Sequence, residues 1–268
     1  MTRTRLSIGD LHLSVTASGA GRPFLFIHGL CGDSGQTTEL LPQVAGWRGI
    51  CPDCRGHGDS EFGDITSLSI AQFTADMIAL SRTLDGPSPV IGGISMGAAI
   101  ALRAAVTHPD SFSGLVLARP AWVDRPAPDN LAPHRRIAGD MAAFGPDRAH
   151  AMFEDSAMAR DIARQAPDNL NSLLGFFARQ PAWQTQALLA AIAHDGPGVS
   201  RSAIAAIDMP CLVIGTGRDL AHPLAMAEEL AGLVPKARLV EITSKSDNRD
   251  EYAEGFRAAL RQFLEEME

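Results

Sequence analysis

Ser95 has the most informative neighbours of any residue here that could do chemistry. It stands in Val90-Ile91-Gly92-Gly93-Ile94-Ser95-Met96-Gly97-Ala98-Ala99, where an apolar run passes through Gly-x-Ser-x-Gly into small helix-forming residues. A serine hydroxyl is a weak nucleophile until a base takes its proton and hydrogen-bond donors meet the oxyanion that forms. A sharp turn between a strand and a helix suits that chemistry. Bulky neighbours would collide in such a turn, so Gly93 and Gly97 leave room, and the helix N-terminus directs N–H groups at developing negative charge. Upstream, Phe24-Leu25-Phe26-Ile27-His28-Gly29-Leu30 reads as a strand ending in His-Gly. The Cys51-x-x-Cys54 spacing has no second pair or nearby His pair to complete a metal site, and Cys31 and Cys211 stand alone, so the four cysteines read as small apolar residues and no metal is expected.

The elements that must position Ser95 follow from the apolar patterning. Short runs at Leu6–Ile8, Leu11–Ala17, Phe24–His28, Gly49–Pro52, Val90–Ile94, Gly114–Ala118, Cys211–Gly215 and Arg238–Thr243 alternate with helix-length segments. That order predicts an α/β fold with a mostly parallel sheet flanked by helices, whose strands are apolar on both faces. Gly9-Asp10 joins the first two strands as a hairpin. Helices are expected from Ser69 to Leu84, from Met96 to Thr107, from Pro223 to Leu233, and from Asp250 to Glu266 with Phe256, Leu260, Phe263 and Leu264 on one face. The alternation breaks between Pro120 and Asp208. Residues 120–208 therefore read as a helical cap inserted into a core made of 1–119 and 209–268. Its Trp122, Phe144, Phe153, Phe176, Phe177 and Trp183, with Met141, Met152 and Met158, should partly hold the cap together and partly face a cleft.

Composition narrows the partners. The chain has 268 residues, 46% hydrophobic and 20% charged, with a formal charge of −8 and no cluster of Lys or Arg to offset it. Nucleic acid and anionic membranes are poor partners for such a surface. The opening "MTRTRLSIG" lacks an apolar signal core and no stretch approaches a membrane span, so a cytoplasmic location is the default expectation. Gly92-Gly93 lacks the G-x-G-x-x-G pattern, and no cofactor is expected.

The segments "FIHGL", "PDCRGHGDS", "GGISMG" and "LVIGTGRDLAHP" together resemble the α/β-hydrolase superfamily, specifically its capped esterase, lactonase and C–C hydrolase branch. The related haloalkane dehalogenases carry Asp where this chain has Ser95. The resemblance implies Ser95 as nucleophile, the backbone N–H groups of Leu30 and Met96 as oxyanion donors, and Asp219 as triad acid, the other reading of Asp219 being a cap for the helix near Pro223. The implied base is a His after the last strand, but that loop reads Thr243-Ser244-Lys245-Ser246-Asp247-Asn248-Arg249-Asp250, with Ser246 where the His belongs. Lys245 is no simple substitute, since the polar loop around it argues against the burial that would lower its pKa. Among the eight histidines only His222 lies beyond Asp219, and it is the first candidate for a replacement base. His134, His150 and His194 of the cap rank lower, His28 is structural, and His57 is expected at the surface.

The expectation is a cofactor-independent serine hydrolase of small hydrophobic ester, lactone or related carbonyl compounds, with an atypical triad and room for a homodimer. Its alternatives are a hydrolase-fold binding protein that has lost turnover and a lyase using the same pocket.

Overall fold

The computed structural model describes residues 1–9 and 11–267. Its sheet has eight strands: β1 Thr2–Ile8, β2 Leu11–Gly19, β3 Arg22–Ile27, β4 Trp47–Pro52, β5 Val90–Ile94, β6 Gly114–Ala118, β7 Cys211–Thr216 and β8 Ala237–Ile242. They lie in the order β1-β2-β4-β3-β5-β6-β7-β8. The β1–β2 and β2–β4 pairs are antiparallel, and every pair from β4 to β8 is parallel. Of the hairpin turn expected at Gly9-Asp10, Asp10 lies outside the described residues.

Central strands are buried throughout, which is why they read as continuous apolar runs. Successive side chains still go to opposite faces. Leu25 and Ile27 join one hydrophobic cluster, while Phe24 and Phe26 join the other. Helices α2 (Ile70–Ser81) and α3 (Met96–Thr107) pack on the first face, and α11 (Arg249–Glu266) seals the second with Tyr252, Phe256, Leu260 and Phe263. Ser69 caps α2 by accepting from Gln72 N, and the helix ends at Ser81, short of the expected Leu84. A helix α1 (Ser34–Leu40) that the sequence analysis did not anticipate starts at Asp33, whose side chain accepts from Gly35 N.

Between β6 and β7 the chain forms α4 (Ala132–Phe144), α5 (Pro146–Glu154), α6 (Ala157–Gln165), α7 (Pro167–Gly175), α8 (Ala182–Ile192) and α9 (Arg201–Ala205). Asp195 ties both ends of this insertion together. Its carbonyl accepts from Trp122 Nε1 at 2.9 Å and Ala127 N at 3.0 Å, and its carboxylate accepts from Ile70 N at 2.7 Å. After β7 come α10 (Leu224–Leu233) and β8. Among the described residues no helix is long and apolar enough to cross a membrane.

Candidate active site

The strand order reverses between β3 and β5, because β3 pairs β4 on one side and β5 on the other. In open α/β sheets the crevice at such a switch point, beyond the carboxyl ends of the strands, is where ligands bind. Ser95 follows β5 there, with φ 57° and ψ −109°, a conformation that side chains rarely adopt. Gly93 and Gly97 make the turn sterically feasible. A Cβ on Gly93 would lie 2.3 Å from the carbonyl carbon of Gly97, and one on Gly97 would lie 2.2 Å from the carbonyl oxygen of Ile27. Arg119 after β6 (φ 45°), which lines the same cavity as Ser95, is strained in the same left-handed sense, as are Cys31 (φ 56°) and Ala127 (φ 48°) elsewhere.

That crevice holds a cavity of about 290 Å³, lined by Ser95, Leu30, Arg119, His134, His222 and Lys245 among others. Among the described residues, Ser95 Oγ makes no hydrogen bond, and neither Leu30 N–H nor Met96 N–H is taken by another backbone group. From the helical insertion, Asp168, Asn169 and Phe176 also line it. The aromatic cleft expected from the sequence is much reduced, since Phe176 alone of the six named aromatics is on this wall. Trp122 and Phe153 are buried, while Phe144 and Trp183 are 44% and 54% exposed. Packing explains the difference: Phe153 lies against Phe177 inside the insertion, and Trp183 against Phe62. A second compartment of about 470 Å³ adjoins the first and shares His134, Asn169, Leu173 and Ala221 with it; its other lining includes Met158, Ile162 and Leu220.

Asp219 follows β7 and is 7% exposed. It does not cap α10, whose N-cap is Pro223. Arg119 Nε donates to Asp219 Oδ2 at 2.8 Å, and its Nη2 lies 2.5 Å from the same oxygen. His222 Nδ1 lies 3.0 Å from both carboxylate oxygens. Burial alone would raise the Asp219 carboxyl, but Arg119 and His222 outweigh it and hold the group well below the ordinary carboxylate range. Two bonds to the carboxylate favour the His222 tautomer with hydrogen on Nδ1, leaving Nε2 able to accept a proton. Arg119 Nη2 is 3.2 Å from that Nδ1, and two donors face each other there. Burial pushes the His222 pKa down; Asp219 opposes this and Arg119 adds to it. Sequence reasoning missed Arg119, for no local motif announces a partner 100 residues away.

The loop after β8 brings no imidazole. Ser246 Oγ accepts from Asp168 N at 3.4 Å, and Ser244 Oγ donates to Arg218 O at 2.7 Å. Lys245 departs from the expectation of a solvated side chain. It is half-buried, lines the cavity, and places Nζ 5.0 Å from the Tyr252 ring centroid. Burial lowers its pKa, and Arg119 lowers it further.

His57, expected at the surface, is instead buried at 3% exposure. Left-handed Gly56 and Gly58 fold its loop inward, setting the His57 ring 4.9 Å from that of His28 and 5.9 Å from Phe73. His28 is satisfied on both sides: Nδ1 meets Gly29 O at 2.8 Å and Nε2 accepts from Cys54 N at 2.9 Å. Asp53 accepts from Ser34 N and Asp59 N, and Arg55 pairs with Asp76, so this motif braces the loop. His150 stacks on Phe177, and His194 Nδ1 meets Ala190 O, both away from the cavity lining. The cysteines are buried, and burial lifts the Cys31, Cys51 and Cys211 thiols to about 12.

A family model described as "alpha/beta hydrolase fold" matches residues 22–245. Among characterised proteins, the chain is 29% identical over 245 residues to a pimeloyl-[acyl-carrier protein] methyl ester esterase of Neisseria meningitidis serogroup B, covering 89% of this chain and 91% of that one. Its fold is similar to that of a thermophilic esterase from Thermogutta terrifontis, with TM-score 0.74, 21% identity, and 98% and 99% of the two chains covered. The enol-lactonase from Burkholderia xenovorans LB400 gives TM-score 0.72 at 24% identity, with 97% and 99% covered.

Proposed function

Since the chain belongs to the alpha/beta hydrolase fold family, we propose that it is a cofactor-independent serine hydrolase of small esters, lactones or related carbonyl compounds. The observation that carries this reading is Ser95 itself, a strained residue at the start of a helix that lines the cavity and whose hydroxyl makes no hydrogen bond among the described residues. Its esterase relatives support the same reaction class.

In the proposed reaction Ser95 Oγ attacks the substrate carbonyl carbon. The N–H groups of Leu30 and Met96 meet the resulting oxyanion. His222 Nε2 takes the Ser95 proton and gives it to the leaving group as the C–O bond breaks. A water deprotonated by the same nitrogen then attacks the acyl-serine, releasing the acid and reprotonating Ser95, while Asp219 holds Nδ1–H and stabilises the imidazolium. The helical insertion acts as a cap, and the adjoining compartment with Met158, Ile162 and Leu220 gives an apolar part of the substrate somewhere to lie.

Arg119 favours a second reading, a binding protein with little turnover. It takes the carboxylate that would otherwise serve the base alone, and it depresses the His222 pKa. The two readings separate in one assay: hydrolysis of a 4-nitrophenyl ester by the wild type, Ser95→Ala and His222→Ala, with organophosphonate labelling of Ser95. The hydrolase reading expects labelling and turnover that vanish in Ser95→Ala, and a fall of about 10²–10⁴-fold in His222→Ala. The rate should drop as pH falls, with a midpoint below the ordinary imidazole value of about 6.5, because the neutral ring is required and its pKa is lowered. Turnover indifferent to Ser95→Ala would overturn it, and ligand binding without turnover or labelling would favour the binding protein.

A further inference from the structure

The cavity beside Ser95 presents more cationic than anionic charge once its internal ion pairs are matched. Asp219 is paired with Arg119, and Asp168 with Arg249 at 2.6 Å. That leaves Lys245, half-buried in the wall, and Arg179, exposed at the rim, both lining the same space. Among the described residues neither side chain has a carboxylate partner. Burial and Arg119 disfavour the Lys245 charge, and Asp168 and Glu39 offset only part of this; the Tyr252 ring centroid lies 5.0 Å from Lys245 Nζ and 5.6 Å from Arg119 Cζ. A cation removed from water without a counter-ion is costly, and a bound anion would relieve that cost. One further group lacks a partner: His134 is 9% exposed, lines the cavity, and has no hydrogen-bond partner for its Nδ1.

We propose that the Ser95 cavity recognises a carbonyl compound that also carries a carboxylate, held by Lys245 and Arg179 with His134 as a neutral hydrogen-bonding neighbour. This names the substrate class of the reading above and rests on Ser95 as its nucleophile. It also revises the purely hydrophobic substrate expected from composition. Ser95, Lys245 and Arg179 line one cavity of about 290 Å³, so a short spacer between acid and reacting carbonyl places both in it, while any apolar remainder lies in the adjoining compartment. Planar guanidinium and carboxylate match in a two-bond fork, and the lysine adds a point charge. Lys236, Arg3 and Arg5, by contrast, carry acidic neighbours on the surface and point to no ligand.

Two measurements test the proposal. The first is calorimetric titration of glutarate, with inorganic phosphate in parallel, into the wild type, Ser95→Ala, Lys245→Met, Lys245→Arg and Arg179→Gln. Glutarate should bind wild type and Ser95→Ala alike, weaken about tenfold in Lys245→Met and in Arg179→Gln, and recover in Lys245→Arg. The second compares mono-4-nitrophenyl glutarate with 4-nitrophenyl acetate, where the charged ester should have the lower KM and Lys245→Met should collapse that preference. No glutarate binding, or binding indifferent to both cationic residues, would overturn the proposal, as would phosphate binding tighter than glutarate. Lysine-dependent glutarate binding with neither ester hydrolysed would sustain the anion site and overturn the hydrolase reading. Ester turnover without charge preference would do the reverse.

Discussion

At the scale of single residues, the Arg119–Asp219 ion pair is the buried charge pair beside the crevice. Both side chains are buried, at 9% and 3% exposure, so removing one leaves the other charged and unmatched. Arg119→Met should cost about 3–5 kcal/mol in a denaturant titration, the usual size for breaking a buried pair from one side. The pH dependence follows from the depressed Asp219 carboxyl. Its stabilising contribution is complete above the unfolded value of about 3.9 and is lost as pH falls below it. Arg119→Met should therefore lose less stability than the wild type between neutral and strongly acid pH. The Ser95 environment was legible in the sequence because the turn, its glycines and its helix are local. Arg119 was not, since its partner comes from a loop on the far side of the insertion. His57 and Lys245 misled for a related reason: a polar loop reads as solvated, yet ring packing buries one and the cavity wall half-buries the other.

At the scale of elements, the contact of β5 with α3 sets the site. The helix lies so close to the end of β3 that a Cβ on Gly97 would meet the carbonyl oxygens of Ile27 and His28 at 2.2 and 2.8 Å. Gly97→Ala should destabilise by about 1–3 kcal/mol through overpacking and should slow organophosphonate labelling of Ser95 by tilting the turn. Melting curves and a labelling time course check the two effects separately. A stable variant that labels at the wild-type rate would show that the close approach does not position Ser95. The central strands and α3 could be read from composition, because burial on both faces demands unbroken apolar runs. Helix α1 could not: its Ser34-Gly35-Gln36-Thr37-Thr38-Glu39 run has no apolar period, and its start depends on the Asp33 cap.

At the scale of the whole molecule, the five helices α4–α8 leave and rejoin the core at a neck around Asp195, with further ties from Leu220 N to Asn169, Arg218 to Gln165 O and Arg249 to Asp168. Three hydrogen bonds to other segments converge on Asp195, two from the chain leaving the sheet and one from the start of α2. Asp195→Ala removes the bond to Ile70 N and should cost about 1–3 kcal/mol, with earlier proteolytic cleavage between residues 120 and 208 than elsewhere. Uniform protease resistance would show that the neck is held by packing alone. The neck was not visible in the sequence, because Asp195 meets Trp122, Ala127 and Ile70, all far from it along the chain. Its consequence concerns inheritance. Because residues 128–194 leave and return at one point, that stretch is a cassette: a relative's helices could be spliced in there without re-threading a strand. The donor would then bring its own His134, Asp168 and Arg179 counterparts, while Ser95, Asp219, His222 and Lys245 stayed with the recipient. Under the proposed function, such an exchange would revise the part of the ligand wall made by the insertion and leave Ser95, Asp219, His222 and Lys245 untouched.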